Sequence, residues 1–444
     1  MKLKYFGTDG FRGKANSTLT VEHALKIGQY LGWYFGEKNG GTARCVIGKD
    51  TRRSSYMLEY GLSAGLTSSG ADSYLLHVTT SPSVSYITKS DQFDFGIMVT
   101  ASHNPYQDNG IKIFDRNGEK MTDDLLYEIE QYIDGERTIP RCQEVGICKD
   151  YFQGRNKYIG FLSSIPSESF RGYKIAIDCA NGASFTVAKN VFDMLGADLT
   201  VLNASPNGKN INVKSGSTHI EVLQNYVRNN SVDIAFAFDG DADRCIMVNE
   251  KGEVVDGDGI IYIIASWLKD RGLLLNDKVA VTVMSNIGLK KALAEKGIGL
   301  TVTDVGDKYI SQAINEEHLS IGGEQSGHII INKYENTGDG ILTAIILAEI
   351  MVAKKCPASS LLGNMTTFPQ KLKNISVSNK DEIMAAPAVQ DHIKVTNEAL
   401  GDSGRLLLRK SGTEQIVRIM AEAATEEECD RIIADAERVV MSQT

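Results

Sequence analysis

Hydrophobic residues recur along the chain in two alternating patterns, one typical of helices and one typical of buried strands. In Thr20–Gly36 apolar residues recur every three to four positions, which predicts an amphipathic helix capped by Thr20. The apolar run Cys45–Gly48 predicts a strand, followed by a helix over about 55–69. Two further strands follow, the second ending at Val99. This order of elements predicts an α/β unit with parallel strands.

The same order of elements occurs twice more. The second copy begins with the predicted strand Lys174–Asp178, and its third strand is Asp233–Phe238. The third copy begins with Lys278–Val283 and leads into a glycine-rich loop after Ile321. Each copy therefore ends in a polar loop that follows a strand. Because parallel sheets bind ligands at the carboxyl ends of their strands, these three loops are candidate site segments.

From about Phe368 the pattern changes to short strands and one long helix. Strands are predicted at 375–377, 405–409 and 416–421, and the helix Glu426–Met441 closes the chain. These elements indicate a small α+β domain with a mostly antiparallel sheet. We therefore expect an α/β protein with three similar mixed α/β domains, each a sheet flanked by helices, plus a smaller C-terminal α+β domain.

Composition narrows the class of protein. The 444 residues include 47 Lys and Arg and 56 Asp and Glu, which gives a net charge of −9 and argues against nucleic-acid binding. An anionic substrate would need local positive charge. Seven scattered cysteines without Cys-x-x-Cys spacing favour free thiols in a reducing compartment. The sequence has neither an apolar signal region nor a run long enough to span a bilayer, so we expect a cytoplasmic protein.

The first candidate segment is the serine loop, Thr100–Pro105, which follows the apolar run Gly96–Val99. Pro105 disfavours helical backbone at Asn104, so the loop stays extended or turned. The pattern is typical of a buried strand that delivers Ser102 to a loop, and equally of an ordinary turn. A Ser-His-Asp hydrolase is an alternative, but Gly-x-Ser-x-Gly is missing here and the acidic cluster described next would be unexplained.

The acidic cluster consists of Asp239, Asp241 and Asp243, in the loop after the strand Asp233–Phe238. Three carboxylates this close repel one another unless a cation lies among them. Oxygen ligands suit Mg²⁺ better than zinc. An EF-hand is disfavoured because Arg244 takes the sixth position, where that loop needs glycine. A solvated acidic turn is the alternative.

The C-terminal hairpin combines two cations, two hydroxyl groups and a glycine, with one more arginine across the hairpin. Its residues are Arg409, Lys410, Ser411, Gly412, Thr413 and Arg418. Such a set binds phosphate through charge-assisted hydrogen bonds. It is not a Walker loop, because Gly-x-x-x-x-Gly-Lys is absent. A plain polar turn is the alternative.

Four other residues are candidates for chemistry. Arg12 lies in the glycine-rich segment Gly7–Gly13 and is available for an anion, unless the segment is a plain glycine turn. Glu324 and Ser326 lie in a glycine-rich loop and suit the hydroxyls of a sugar. Lys112 follows the serine by ten residues. Beside Mg²⁺ and other cations its pKa is expected to fall toward neutrality, so that it can move protons; a solvated lysine is the alternative.

Together these segments make the whole chain resemble the α-D-phosphohexomutases. The resemblance is carried, in order, by Gly7–Gly13, Thr100–Pro105 with Asn109–Lys112, Asp239–Arg244, Gly322–His328 and Arg409–Arg418. The resemblance implies that the four expected domains carry the phosphoserine, metal-binding, sugar-binding and phosphate-binding loops in that order. Their expected bounds are 1–152, 153–255, 256–367 and 368–444.

The resemblance also implies a role for each candidate residue, with Ser102 phosphorylated in the resting enzyme. The catalytic roles are assigned to Ser102, Lys112, His103, Arg12 and Arg244. One Mg²⁺ per chain is expected on the phosphoserine, Asp239, Asp241 and Asp243. Substrate binding is assigned to Glu324, Ser326, Lys308, Arg409, Ser411, Gly412, Thr413 and Arg418. Lys308 stands where the most similar subgroup usually has arginine.

The implied reaction moves a phosphoryl group between the two ends of a hexose monophosphate, with a hexose 1,6-bisphosphate as intermediate and activator. The segment Gly323–His328 resembles a bacterial subgroup that interconverts glucosamine 6-phosphate and glucosamine 1-phosphate for wall-precursor synthesis. The alternatives are a mannose or glucose phosphate mutase, a phosphatase and a non-catalytic sugar-phosphate sensor. The expected partners are a small sugar phosphate and a second copy in a homodimer, without nucleic acid or membrane.

Overall fold

The computed structural model describes residues 3–411 and 415–443. By its internal packing the chain forms two compact units. The first contains the described residues up to 283 together with 300–363, and the second contains 284–299 and the described residues from 364 onward. Among the described residues, no helix is both long and apolar enough to cross a membrane.

The first sheet of the first unit has seven strands. They are β1 (Phe6–Gly7), β2 (Gly10–Lys14), β3 (Arg44–Lys49), β4 (Asp72–Val78), β5 (Phe95–Val99), β6 (Asp108–Asp115) and β7 (Cys148–Asp150). Their order is β1-β2-β6-β5-β3-β4-β7, and β3, β4, β5 and β7 are parallel while β6 is antiparallel to β5. The accompanying helices are α1 (Val21–Asn39), α2 (Arg53–Ser68), α3 (Ser81–Ser90) and α4 (Asp123–Asp134).

The helix predicted from Thr20 forms as α1. The Thr20 side chain accepts from the backbone of His23, whose ring accepts from the backbone of Thr20, so the first turn is capped on both sides. The helix ends at Gly40, which takes the left-handed conformation with φ 61°. Its apolar face, with Ile27 and Leu31, packs with that of α2 into one core. Burying each such side chain stabilises the fold by about 1.5–3 kcal/mol.

The second and third sheets follow the same plan. The second sheet contains β8 (Lys174–Asp178), β9 (Asp198–Leu202), β10 (Ile234–Phe238), β11 (Cys245–Asn249) and β12 (Val254–Val255), in the order β12-β11-β10-β8-β9. The third contains β13 (Lys278–Thr282), β14 (Gly299–Thr303), β15 (Ile321–Gly323) and β16 (Ile329–Ile331), in the order β14-β13-β15-β16. The helices of this region are α5 (Phe152–Ser163), α6 (Ser184–Met194), α7 (Glu221–Asn229), α8 (Gly257–Asp270), α9 (Ile287–Glu295), α10 (Asp307–Glu317) and α11 (Gly340–Lys354).

One connection recurs in all three sheets. A strand that is parallel to its inner neighbour is followed by a polar loop and then by an antiparallel strand. The pairs are β5 with β6, β10 with β11, and β15 with β16. The inner parallel neighbours are β3, β8 and β13. The three candidate loops therefore occupy the same topological position, as the repeated pattern predicts, and the sheets are mixed rather than fully parallel.

The second unit holds a three-stranded antiparallel sheet in the order β17-β19-β18. Its strands are β17 (Gln370–Ser376), β18 (Arg405–Lys410) and β19 (Ile416–Glu422), and its C-terminal helices are α12 (Lys380–Ala385), α13 (Pro387–Leu400) and α14 (Glu426–Met441). Short 3-10 helices across the chain lie at Leu275–Asp277, Ala358–Ser360 and Gly401–Ser403. The predicted strands and closing helix form, while α12 and α13 were not predicted.

The segment with α9 joins this second unit through polar contacts. Asn286 Nδ2 donates to the carbonyl of Phe368 at 2.9 Å, and the Ile287 amide donates to Glu422 at 3.2 Å. Arg405 also donates to the carbonyl of Ser285 at 2.7 Å. The compact units therefore divide the chain at other points than the four expected domains, whose bounds stay predictions.

Candidate active site

Ser102 lies in the serine loop directly after β5 and is 1% exposed. Its hydroxyl donates to Asp239 Oδ2 at 2.6 Å, and Nδ1 of His103 is 3.2 Å from the same Oγ. Its backbone takes the left-handed conformation, with φ 49°. A serine rarely adopts this conformation unless its surroundings hold it there. The loop therefore presents one fixed hydroxyl to a buried carboxylate.

The acidic cluster lies in the loop between β10 and β11. One ligand oxygen of each of Asp239, Asp241 and Asp243 lies within 4.8 Å of the other two, and all three residues are buried. Gly240 permits the approach of the two loops, because a Cβ at this position would lie 2.5 Å from the carbonyl oxygen of Ser102. The residues that the sequence assigned to a metal and to the nucleophile therefore meet at one point.

Two oxygens of this cluster are unsatisfied. Asp241 Oδ1 and Asp243 Oδ1 are buried and have no hydrogen-bond partner among the described residues. A buried acceptor without a donor is costly, and more so when it is charged. A hard divalent cation would satisfy both oxygens, and a set of carboxylates alone suits Mg²⁺. The residues present thus fit such an ion.

Lys112, on β6, adds a buried positive charge to the cluster. Its Nζ lies 2.9 Å from Asp241 Oδ2, 3.0 Å from Asp243 Oδ2 and 3.3 Å from Asp9 Oδ1. Burial lowers the pKa of Lys112, but these three carboxylates outweigh it and raise the pKa well above the usual value. In these surroundings the pKa of Lys112 is thus raised, because carboxylates surround the ammonium. The fall toward neutrality expected beside Mg²⁺ and other cations stays a prediction.

The aspartates of the cluster differ in basicity. Burial, together with the charges of Asp243 and Asp241, raises the pKa of Asp239 well above the ordinary value. Burial acts in the same direction on Asp243, but Lys112 and His328 outweigh it and hold the pKa of Asp243 well below the ordinary value. The carboxyl that faces the serine hydroxyl is thus a stronger base than an ordinary aspartate.

The guanidinium groups of Arg12 and Arg244 add positive charge near the serine loop. Burial, Arg244 and Arg12 lower the pKa of His103 to about 4, so its ring is neutral near pH 7. Arg12 donates to Asn104 Oδ1 at 3.3 Å. Arg244 Nε lies 3.9 Å from Asp243 Oδ1. Arg12 also pairs with Asp9. Two guanidinium groups thus lie near the serine loop, an arrangement that suits an anion.

The sugar-binding candidates lie on the third sheet. Glu324 and Ser326 follow β15; Glu324 Oε1 accepts from the Gly306 amide at 3.0 Å, and Ser326 is exposed with its Oγ 3.5 Å from Glu324 Oε2. Lys308, near the start of α10, forms an exposed ion pair with Asp123 at 2.8 Å. The structure thus brings Glu324 and Ser326 together and pairs Lys308 with a carboxylate of α4.

The phosphate-binding candidates lie on the sheet of the second unit. Arg409 on β18 and Arg418 on β19 are direct cross-strand neighbours. Arg418 Nε is buried and lacks a hydrogen-bond partner in the described part of the chain. Ser411 is 4% exposed, whereas Gly412 and Thr413 lie outside the described residues. Because like charges opposite each other destabilise a strand pair, an anion between the two arginines would stabilise it.

Sequence reasoning missed three residues that contact the cluster. Asp9 contacts Lys112, as described above, and Ser81 Oγ donates to Asp241 Oδ2 at 2.5 Å from a position 160 residues away along the chain. His328 is buried, and its Nδ1 lies 3.9 Å from Asp243 Oδ2. Burial lowers the pKa of His328, but Asp243 outweighs it and raises the pKa. His328 belongs to a motif that the sequence singled out, whereas no local signal marks Ser81.

The whole chain matches one family in four consecutive parts. The matched parts are described as the phosphoglucomutase/phosphomannomutase alpha/beta/alpha domain I at 3–139, domain II at 149–252, domain III at 256–368 and the C-terminal domain at 372–439. The chain therefore belongs to the phosphoglucomutase/phosphomannomutase family and is an enzyme of the phosphohexomutase class. The resemblance seen in the sequence and the expected fold class are both confirmed.

Individual relatives are similar over nearly the full length. A phosphoglucosamine mutase of Lachnospira eligens is 53% identical over 99% of this chain and 99% of its own. A phosphoglucomutase/phosphomannomutase family protein from Burkholderia thailandensis has a TM-score of 0.83 at 22% identity, covering 100% of this chain and 98% of its own. An Aspergillus fumigatus N-acetylphosphoglucosamine mutase, solved with GlcNAc-6P and magnesium, has a TM-score of 0.74 at 19% identity and coverages of 100% and 96%.

Proposed function

We propose that this enzyme interconverts glucosamine 6-phosphate and glucosamine 1-phosphate through a phosphorylated serine. The observation that carries the mechanism is the 2.6 Å hydrogen bond between Ser102 Oγ and Asp239, which joins the nucleophile to the buried acidic cluster. The preference for the amino sugar is supported by the 53% identity to a phosphoglucosamine mutase. A mannose or glucose phosphate mutase with the same chemistry is the alternative to test.

In the proposed reaction, phosphorylated Ser102 gives its phosphoryl group to a hydroxyl of the hexose monophosphate. The bond from phosphorus to Oγ breaks as the bond to the sugar oxygen forms. The sugar hydroxyl gives up its proton and Ser102 Oγ gains one, so the serine leaves the step as a neutral hydroxyl. The resulting glucosamine 1,6-bisphosphate turns around and returns its other phosphoryl group to Ser102. The transition state is loose and highly charged, so positioning and electrostatics supply most of the catalysis. Arg12, Arg244 and the Lys112 ammonium are the proposed sources of positive charge.

Proton transfer is the proposed task of Lys112, with His103 beside the nucleophile. Because the carboxylates hold the pKa of Lys112 high, this side chain enters the reaction as an ammonium that can donate a proton. Neutral His103, with Nδ1 at 3.2 Å from Oγ, can share a hydrogen bond with the serine oxygen in the direction that its ring tautomer sets. The roles are supported by this contact and by the contact of Lys112 with Asp241 at 2.9 Å.

We further propose one Mg²⁺ on Asp239, Asp241, Asp243 and the phosphoserine. When bound, the ion would neutralise charge on the transferring group and on the cluster itself. The proposal is supported by the two unpartnered carboxylate oxygens and by the all-oxygen donor set.

Substrate recognition is proposed for the remaining candidates. Glu324 and Ser326 would bind sugar hydroxyls, with Lys308 near them in sequence on α10. The phosphate that does not react would be bound by Arg409, Ser411, Gly412, Thr413 and Arg418. A hexose 1,6-bisphosphate is the proposed activator that first phosphorylates Ser102. A homodimer remains an expectation from the resemblance, and a cytoplasmic location remains an expectation from the sequence pattern.

The test is a Mg²⁺-dependent mutase assay on glucosamine 6-phosphate, mannose 1-phosphate and glucose 1-phosphate, each with a trace of the matching bisphosphate. We expect kcat/KM for the amino sugar to exceed the others by tenfold or more, which corresponds to about 1.4 kcal/mol of transition-state preference. A preference for mannose or glucose phosphate would overturn the proposed substrate assignment and leave the proposed mechanism standing. Full activity in a Ser102→Ala variant would overturn the mechanism.

A further inference from the structure

A buried arginine binds the backbone of the serine loop. Arg52, the residue before α2, is 0% exposed. Its Nη2 donates to the carbonyl of Ser102 at 3.1 Å and to the carbonyl of Asn104 at 2.6 Å. Its Nη1 pairs with Asp50. One guanidinium therefore fixes two carbonyls of the loop while a neighbouring carboxylate neutralises its charge.

The same two carbonyls receive a second donor from a distant segment. Asn212, in the loop between β9 and α7, is 7% exposed. Its Nδ2 donates to the Ser102 carbonyl at 2.8 Å and to the Asn104 carbonyl at 3.1 Å. The backbone amide of Asn212 donates to the carbonyl of Ala180 at 2.9 Å, and this contact anchors Asn212 to the loop after β8 of the second sheet. Two segments that are far apart in the chain thus hold one short stretch of backbone.

Asp50 and its neighbours fix Arg52 in turn. Asp50 Oδ1 accepts from the Arg52 amide at 2.9 Å and from Ser55 Oγ at 2.7 Å. Ser55 also accepts from Asn109 Nδ2 at 3.0 Å, and Asn109 lies on β6. The guanidinium therefore has little freedom to follow the serine loop if that loop moves.

These hydrogen bonds stabilise a backbone conformation that the nucleophile would not keep without them. Ser102 takes a left-handed backbone conformation that a serine does not prefer, so a relaxed loop would rotate its peptide groups. Such a rotation would move Oγ away from Asp239 and would leave buried carbonyls without donors. Because Arg52 and Asn212 bind the carbonyls on both sides of His103, they oppose that rotation directly.

We propose that Arg52 and Asn212 are positioning residues that hold Ser102 in the geometry for phosphoryl transfer. This inference rests on the proposed function of Ser102 as the phosphoryl carrier. Both side chains act through the backbone of the serine loop. Their loss should therefore slow transfer to and from Ser102, seen in kcat, while KM for the sugar phosphate changes little.

Conservative variants test this assignment. Arg52→Lys keeps a positive charge beside Asp50 but cannot serve Asp50 and the two carbonyls with separate nitrogens, as Nη1 and Nη2 do. Asn212→Asp keeps the shape but replaces the donor with an acceptor. In each we expect kcat to fall at least tenfold, KM to change less than threefold, and phosphorylation of Ser102 by glucose 1,6-bisphosphate to slow in parallel. The matched controls are exposed Arg53→Lys and Asn229→Asp, which should keep wild-type kcat. Wild-type kcat in both test variants would overturn the proposal.

Hydrogen exchange of the full-length protein separates this proposal from the proposed function. In both test variants, amides of residues 100–106 should exchange at least tenfold faster than in wild type, with the rest of the chain unchanged. Unchanged exchange in that segment, or faster exchange throughout the first unit, would overturn the positioning role. If wild type fails on every sugar phosphate, the proposed function fails, and the exchange data still decide whether Arg52 and Asn212 hold the loop.

Discussion

The acidic cluster and the C-terminal hairpin hold charge in opposite ways. In the cluster, Asp241 and Asp243 are buried and the ammonium of Lys112 lies within 3.0 Å of both. In the hairpin, the half-buried side chains of Arg409 and Arg418 face each other on neighbouring strands. Buried charges must find partners inside the protein, whereas partly exposed cations can be stabilised by water until an anion binds. The two regions therefore differ in where their charges are balanced: inside the protein in the cluster, and partly by solvent in the hairpin.

The largest expected effect is the loss of the nucleophile. Ser102→Ala should lower kcat about 10³-fold or more, because no covalent phosphoryl carrier remains. The measurement is the mutase assay together with transfer of labelled phosphate from glucose 1,6-bisphosphate to the protein. The control is exposed Ser90→Ala, which should be labelled like wild type. Labelling of Ser102→Ala at the wild-type level would contradict the assignment.

The next effect compares a buried ion pair with an exposed one. Lys112→Met leaves three carboxylates without their ammonium and should lower the free energy of unfolding by about 3 kcal/mol. Lys308→Met breaks only the exposed pair with Asp123 and should cost about 0.5 kcal/mol or less. Urea unfolding in the presence of a chelator measures both. Equal losses of unfolding free energy in the two variants would show that the stability of the acidic cluster does not depend on Lys112.

A third prediction concerns a buried carboxyl in surroundings that raise its pKa. Glu335 is 3% exposed, and burial together with Asp339 raises its pKa from 4.5 to about 8. Between these values the unfolded chain has released the proton that the folded chain still binds, so wild-type stability falls as pH rises. Glu335→Gln should therefore equal wild type in stability near pH 4, exceed it by about 2 kcal/mol near pH 6, and exceed it further near pH 8.

Urea midpoints at several pH values between 4 and 8 measure this difference. The control is Glu427→Gln, which changes an exposed glutamate and should follow the wild-type pH dependence. Parallel curves for wild type and Glu335→Gln would mean that Glu335 is ionised in the folded protein.

The smallest effect is expected in the hairpin. Arg418→Gln removes one donor from the proposed phosphate site and should raise KM for the sugar phosphate about tenfold, with a smaller change in kcat. Stability should not fall, because the removal of one of two facing positive charges relieves their repulsion. Lys394→Gln is the control, since Lys394 is an exposed lysine of α13 outside the hairpin, and it should keep the wild-type KM. A drop in kcat at unchanged KM would place Arg418 in the chemistry instead.

Much of the fold follows from local patterns. The helix capped by Thr20 and the strand that ends at Val99 are both visible in short windows of sequence, because burial of one face imposes a regular spacing. The repeat was predictable because three similar windows recur. The grouping of α9 with the second unit was not, since it depends on contacts such as Asn286 with Phe368, which are far apart in the chain.

The site residues likewise fall into those that local sequence predicts and those that depend on distant contacts. Residues within motifs, such as Ser102 and Asp239, were identified as candidates, and the structure brings these two together. Arg52 and Asn212 carry no local signal, because their roles arise only where distant segments meet. The carboxylates from two other segments that surround Lys112 and raise its pKa were not predictable for the same reason, since spacing alone does not reveal them. The roles of the individual site residues stay predictions.

The recurring connection from a parallel strand through a polar loop to an antiparallel strand has a consequence for how such enzymes diversify. Each loop is tethered at both ends by its own hairpin, so its sequence can change without shifting the register of the other two sheets. In the loop at Gly322–His328 the exception is His328, which lies 3.9 Å from Asp243 and has to stay if the acidic cluster is to keep its charge balance. Under the proposed sugar-binding role of Glu324 and Ser326, new sugar preferences would arise by local replacement ahead of that histidine.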